Sequence, residues 1–172
     1  MKKVIFTILG LLSLVHFANA QKQNQLRIGF DFGKATPTKG LANNSFAVEA
    51  KYNLKSNLSL GLRQILTTGA STNSAMLLTS DYYFHKSGNK FAPFVGIGAG
   101  TYLPGFIKPS KDAFQYEISE KDNPIRLDGI VRAGIEFSKI RLSTEYHFIP
   151  SASAKNYLNI SVGIFLDGGR WK

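Results

Sequence analysis

Thirteen residues, IRLDGIVRAGIEF at 125–137, constrain this chain more than any other feature. Ile125, Leu127, Val131, Ala133, Ile135 and Phe137 share one parity, interrupted by Gly129, while Arg126, Asp128, Arg132 and Glu136 occupy the other. Successive side chains of an extended strand leave on opposite faces, so this is a strand with one apolar and one charged face. A helix would mix the two sets. Either the charged face meets water on an ordinary exported protein, or it lies inside and the apolar face meets lipid.

Seven more runs repeat the alternation, which predicts strands at about 26–33, 45–54, 58–67, 74–84, 92–102, 125–137, 139–149 and 157–166. Each run is near the roughly 9–11 residues that cross a bilayer at a tilt. Longer connections (34–44, 68–73, 103–124, 150–156) alternate with shorter ones (55–57, 85–90, near Ser138). That alternation matches the outer loops and inner turns of outer-membrane barrels.

One parity is apolar on nearly every strand, from Leu26, Ile28, Phe30 and Phe32 to Leu158, Ile160, Val162, Ile164 and Leu166. An eight-stranded barrel has an interior only wide enough for its own side chains or one small ligand, so these groups belong outside. The opposite face holds Arg27, Lys51, Arg63, Arg126, Arg132 and Arg141 against Asp31, Glu49, Asp81, Asp128, Glu136 and Glu145. Five of these six bases are arginine although the chain is richer in lysine, and the arginine fork suits dry bidentate pairing with carboxylates. We therefore expect an interior ion-pair network that fills the barrel rather than lining a pore. Gly29, Gly33, Gly61, Gly96, Gly98, Gly100, Gly134 and Gly163 mostly share the inner parity and would leave volume for long charged side chains. Leu77, Ile130 and Phe165 also point inward; Gln64, Ser80 and Thr144 point outward. Aromatic girdles are expected from Tyr52, Tyr82, Phe84, Phe94 and Phe137 at one end, and from Phe32, Phe46, Tyr102, Tyr146, Phe148 and Tyr157 at the other.

The chain opens MKKVIFTILGLLSLVHFANA, with a basic start, a short apolar stretch and a small-residue Ala18-Asn19-Ala20 site. This predicts a signal peptide over 1–20, cleaved after Ala20, and a single barrel domain over 21–172 in the outer membrane. Removing Lys2 and Lys3 lowers the formal charge from +10 to +8, nineteen bases against eleven acids. Without a long basic run in an exported chain, nucleic acid is not an expected partner. Cysteine is absent, so no disulfide scaffold stabilises the fold. No later segment is apolar enough for a helical span. No metal-ligand spacing appears, and neither metal nor cofactor is expected.

With these strands in place, PFVGIGAGTY (93–102) and the ending YLNISVGIFLDGGRWK (157–172) give the chain its likeness to a known group. It resembles the small outer-membrane β-barrel proteins of Gram-negative bacteria, of the OmpX/OmpA-transmembrane-domain type. The resemblance implies an all-β, eight-stranded antiparallel up-and-down transmembrane β-barrel. It also implies outer-membrane lipid and the barrel assembly machinery as partners, and a monomer. The family's better-known members end on phenylalanine, whereas this chain ends Arg170-Trp171-Lys172.

Two chemical readings stand beside a structural one. GIGAG at 96–100 lies within a strand and lacks the Gly-Lys-Ser/Thr of a phosphate loop. His147, with Glu145 two residues away and Ser151 and Ser153 beyond, is similar to the His/Ser/Glu set of barrel enzymes that deacylate lipid A, without their local spacing; His85 sits in a turn. The expectation is a non-enzymatic barrel acting as a structural anchor or through its outer loops. The alternatives are a lipid A-modifying enzyme or a soluble lipocalin-like carrier. The loop 103–124 is the candidate binding loop, through Phe106, Lys108, Lys111, Phe114 and Tyr116 toward an extracellular ligand or surface.

Overall fold

The computed structural model describes residues 23–38, 41–69, 72–84, 91–109, 116–118, 125–150 and 156–170; side chains are described for all of these but 106–109, 116–118 and 167–170. The leader, His85, Lys111, Phe114, Ser151 and Ser153 lie outside the described residues, as do the side chains of Phe106, Lys108 and Tyr116.

Period-two patterning becomes strand throughout: β1 (Gln25–Pro37), β2 (Asn43–Lys55), β3 (Leu58–Thr68), β4 (Thr72–Tyr83), β5 (Phe91–Pro109), β6 (Tyr116–Ile118), β7 (Arg126–Phe137), β8 (Ile140–Phe148) and β9 (Tyr157–Arg170). Every pairing is antiparallel. The order β4-β3-β2-β1-β9-β8-β7-β5 closes on itself through β4–β5. First and last strands meet along a register running from Arg27↔Asp167 to Pro37↔Tyr157. Eight strands form the wall, which removes the free edges that would otherwise recruit other chains.

Parity decides what faces where. Leu78 is 70% exposed and Ile97 is 65% exposed, as are most of the apolar residues assigned to the outer face. Glu49, Lys51, Arg63, Asp81, Arg141 and Glu145 are wholly buried. A soluble carrier of an apolar ligand would need the reverse, with leucines lining the lumen and charges in water. Leu77, Ile130 and Phe165 are buried, and Gln64 and Thr144 face outward. On that outer face Gln64 Nε2 donates to Ser74 Oγ at 2.7 Å, so the amide finds a partner without turning inward.

The structure corrects three girdle positions. Phe94, Tyr102 and Tyr157 are buried in the lumen at 2%, 8% and 5% exposure. Phe94 and Tyr102 have the parity of Gly96, Gly98 and Gly100 on β5, and strand parity outweighs position near a strand end. The glycines make room for rings as much as for charges. A Cβ on Gly29 would come within 2.6 Å of the Phe165 ring, and one on Gly134 within 2.8 Å of Phe94. Gly61 does meet the expected kind of neighbour, with Glu49 Oε1 at 2.9 Å from its would-be Cβ.

A second correction concerns 103–124. The wall strand does not stop at Tyr102: β5 continues to Pro109, still paired with β4 through Ser74↔Leu103 and Thr72↔Ile107. Its other edge exchanges β7 for β6, through Ile107↔Ile118, Lys108↔Glu117 and Pro109↔Tyr116. Pro104-Gly105 reads as a break but is absorbed as an irregularity. Gly105 takes φ 58°, and its N–H donates to Asn73 Oδ1 at 2.8 Å.

Candidate functional site

The lumen is the chemically distinctive part of the molecule, and register builds it. Asp81, Gly96 and Arg132 lie opposite one another on β4, β5 and β7, so a glycine separates acid from base. Arg132 reaches over it, with Nε 2.6 Å from Asp81 Oδ1 and Nη2 2.9 Å from Oδ2. Neighbouring strands also place Glu49 beside Arg63, Glu145 beside Arg132 and Glu136 beside Arg141.

Those neighbours along the wall are not the closest partners. Glu49 lies 3.5 Å from Arg63, and Arg132 lies 3.7 Å from Glu145. Glu49 instead receives Arg132 Nη2 at 2.7 Å and Arg141 Nη1 at 2.8 Å, both from strands across the lumen. Arg141 Nη2 reaches Asp81 Oδ2 at 2.7 Å, and Arg63 Nη2 reaches Glu145 Oε1 at 3.0 Å. Arg63 also pairs with Asp31, and Lys51 with Asp81. Thr79 donates to Glu49 Oε1 at 2.8 Å. The charges therefore form a lattice that bridges β2, β3 and β4 to β7 and β8. Charge-assisted, multiply bonded contacts of this kind are the ones that repay the removal of ions from water.

An aromatic layer closes the lattice toward the short-turn end. Arg27 Nη1 bonds Glu136 Oε2 at 2.9 Å while its guanidinium lies 4.3 Å from the centre of the Phe165 ring. Arg141 stacks 4.2 Å from Phe94, and Tyr83 donates to Glu136 Oε1 at 2.8 Å. Toward the long-loop end, Leu77, Tyr102, Ile130, Ile149 and Tyr157 pack with Ala35, Ala47, Ile65 and Ala75 into an apolar cluster. His147 sits there, stacked on Tyr157 at 4.0 Å between ring centres, with Nδ1 2.8 Å from Asp128 Oδ2.

Of the twelve charged residues that share the inner parity, ten converge in the lattice. Asp128 pairs with His147, whose Nε2 lies 3.8 Å from Glu145 Oε2 at the edge of the lattice, and Arg126 lies half-buried at the long-loop rim. Tyr83, Phe94 and the Asp128 partnership of His147 escaped the sequence reading. Parity alone places all three inside, had it been applied to aromatic as well as charged positions. Among the described residues no group of three or more His, Cys, Asp or Glu side chains could hold a metal ion.

Comparison with solved structures returns one architecture. The N-terminal β-barrel domain of Pseudomonas aeruginosa OprF aligns at a TM-score of 0.60 and 13% identity, over 85% of this chain and 100% of that one. Neisserial surface protein A aligns at 0.56 and 10%, over 83% and 95%. The outer membrane enzyme PagL aligns at 0.53 and 11%, over 81% and 98%. No protein-family model and no curated protein matches the sequence. At such identities the likeness speaks for fold alone. That fold is the small, closed, eight-stranded antiparallel β-barrel of outer-membrane proteins.

Proposed function

We propose that the chain is a non-enzymatic barrel of the outer membrane, exported by its leader and sealed by its own side chains. It serves as a structural anchor or meets a surface or ligand through its outer loops. The observation that carries this reading is the lattice in the lumen, with Arg132 and Arg141 both reaching Glu49 from across the barrel and both also gripping Asp81. An open channel would leave these groups hydrated along the wall. Outside, the apolar band offers nothing for water to bind.

Two measurements test it together. The folded chain should migrate differently before and after boiling, and should give no stepwise conductance in a planar bilayer. Discrete channel openings would sink the sealed reading; recovery in buffer without detergent would sink the membrane reading. The interaction role is tested by deleting 106–121, which should abolish surface binding and leave the heat-shifted band in place.

The lipid A-modifying reading rests on the His147–Asp128 pair and on the shared fold with PagL. Against it, His147 is wholly buried beneath Tyr157, away from the lipid that would be its substrate. Lipid A incubated with the folded barrel should return unchanged in mass. Loss of an acyl chain that His147→Gln prevents would establish the enzyme instead.

A further inference from the structure

By sequence, the short connections hold more of the surplus positive charge than the long ones. The interior set is balanced six to six, so the net charge resides in the connections. Between Gln25 and Arg170 the longer connections read from the sequence hold six lysines against four acids. The shorter connections hold Lys55, Lys86, Lys90 and Lys139 and no acid. Lys55 and Lys139 are the two of these whose side chains are described, and the inference rests on them.

Lys55 ends β2 at the edge of one tight turn and Lys139 lies within another, and both turns are held against the wall. Ser56-Asn57 and Ser138-Lys139 are two-residue connections, and Ser138 takes φ 60° to make the reversal. The Asn57 carbonyl accepts the Tyr83 N–H at 2.9 Å, and the Lys139 carbonyl accepts the Phe165 N–H at 2.8 Å. Neither turn can project far from the barrel. Beside them Leu54, Tyr52, Phe137, Tyr82 and Phe84 expose apolar surface, and the last two rings meet edge to face at 5.1 Å. A lysine next to such a surface can rest its stem on apolar neighbours while its ammonium stays at the level of lipid headgroups.

We infer that the short-turn rim is a binding surface for anionic phospholipid, with Lys55 and Lys139 contacting headgroup phosphate in that leaflet. An acidic polymer on the same side would need projecting loops or a groove to grip. Here the cations lie flush with an apolar band, the arrangement that suits a lipid headgroup whose tails run down the wall. The inference rests on the membrane reading above.

The test uses the full mature chain folded into nanodiscs of equal parts phosphatidylcholine and phosphatidylglycerol. Co-purifying lipid is counted by native mass spectrometry. Phosphatidylglycerol should be retained in excess of its share. Lys55→Gln with Lys139→Gln should cut that excess about fivefold or more, since each cation near a charged surface contributes a comparable factor. The arginine pair at the same positions should restore it, and Lys34→Gln at the other rim should leave it unchanged. Equal retention of the two lipids, or an excess indifferent to the glutamine pair, overturns the inference while the heat-shifted band still upholds the barrel. So does a glutamine pair that alters only co-sedimentation with peptidoglycan. A chain that shows no such band and enters no disc sinks both readings at once.

Discussion

Arg132 grips Asp81 at two points across Gly96, the residue that register sets between them. Asp81 is shared with Arg141 and Lys51, and Glu49 with Arg132, Arg141, Arg63 and Lys51, so the carboxylates at the centre of the lattice each answer several cations. Stability in this lumen is therefore held jointly, and removing one member exposes its partners' charges to a dry interior.

Arg132→Leu should accordingly lower the unfolding free energy by roughly 3–5 kcal/mol, the usual cost of breaking a buried pair from one side. Urea unfolding in micelles, followed by the heat-shifted band, measures it. Conductance should stay at zero. An unchanged midpoint would mean that the arginine is hydrated in the folded state.

Leu78, 70% exposed on β4, addresses orientation directly. Leu78→Arg should cost about 2–4 kcal/mol if the residue lies near the bilayer midplane. On a water-facing strand the same change would be close to neutral. Folding yield into vesicles and the urea midpoint both read the difference.

Gly29 and Phe165 should behave as a coupled pair. The Phe165 ring is hemmed in by Arg27 and lies 5.1 Å from Lys51, so it has little freedom to yield to a new methyl group. Gly29→Ala should destabilise by about 1–3 kcal/mol. In a Phe165→Ala background it should cost close to nothing, a coupling that a double-mutant cycle resolves. Additive effects would show that the ring is not what the glycine accommodates.

Ser138 pays a backbone strain that glycine does not, at φ 60° in a two-residue turn. Ser138→Gly should stabilise by up to about 1 kcal/mol and Ser138→Val should destabilise, both read from unfolding midpoints. A glycine variant less stable than the parent would show that the serine side chain matters more than its backbone.

Much of this architecture can be read from alternation alone, because a strand slipped by one residue would exchange its two faces. The inner position of Glu49, Arg63, Arg132 and Arg141 follows from parity without coordinates. Their partners do not. Parity says which way a side chain leaves the wall, but the closest contacts join strands distant in sequence, such as Glu49 with Arg141. Those depend on strand tilt and stagger, which no single segment encodes. Phe94, Tyr102 and Tyr157 were misplaced for a different reason. An aromatic near a strand end suits a lipid interface and a narrow lumen equally well, and its parity along the strand decides between them. The extension of β5 was hidden because Pro104-Gly105 marks a break locally, while pairing with β4 carries the strand past it.

Between Tyr157 and Leu166 the final strand contributes no ionised side chain to the lumen: its inward residues there are Tyr157, Asn159, Ser161, Gly163 and Phe165. Among the described residues the ionised lattice is thus built from β1 to β4, β7 and β8 alone. The seam shuts with backbone hydrogen bonds, the Tyr157 and Phe165 rings, and side-chain hydrogen bonds from Asn159 and Ser161, so the last strand adds packing and neutral polar groups to a lumen whose charges come from elsewhere.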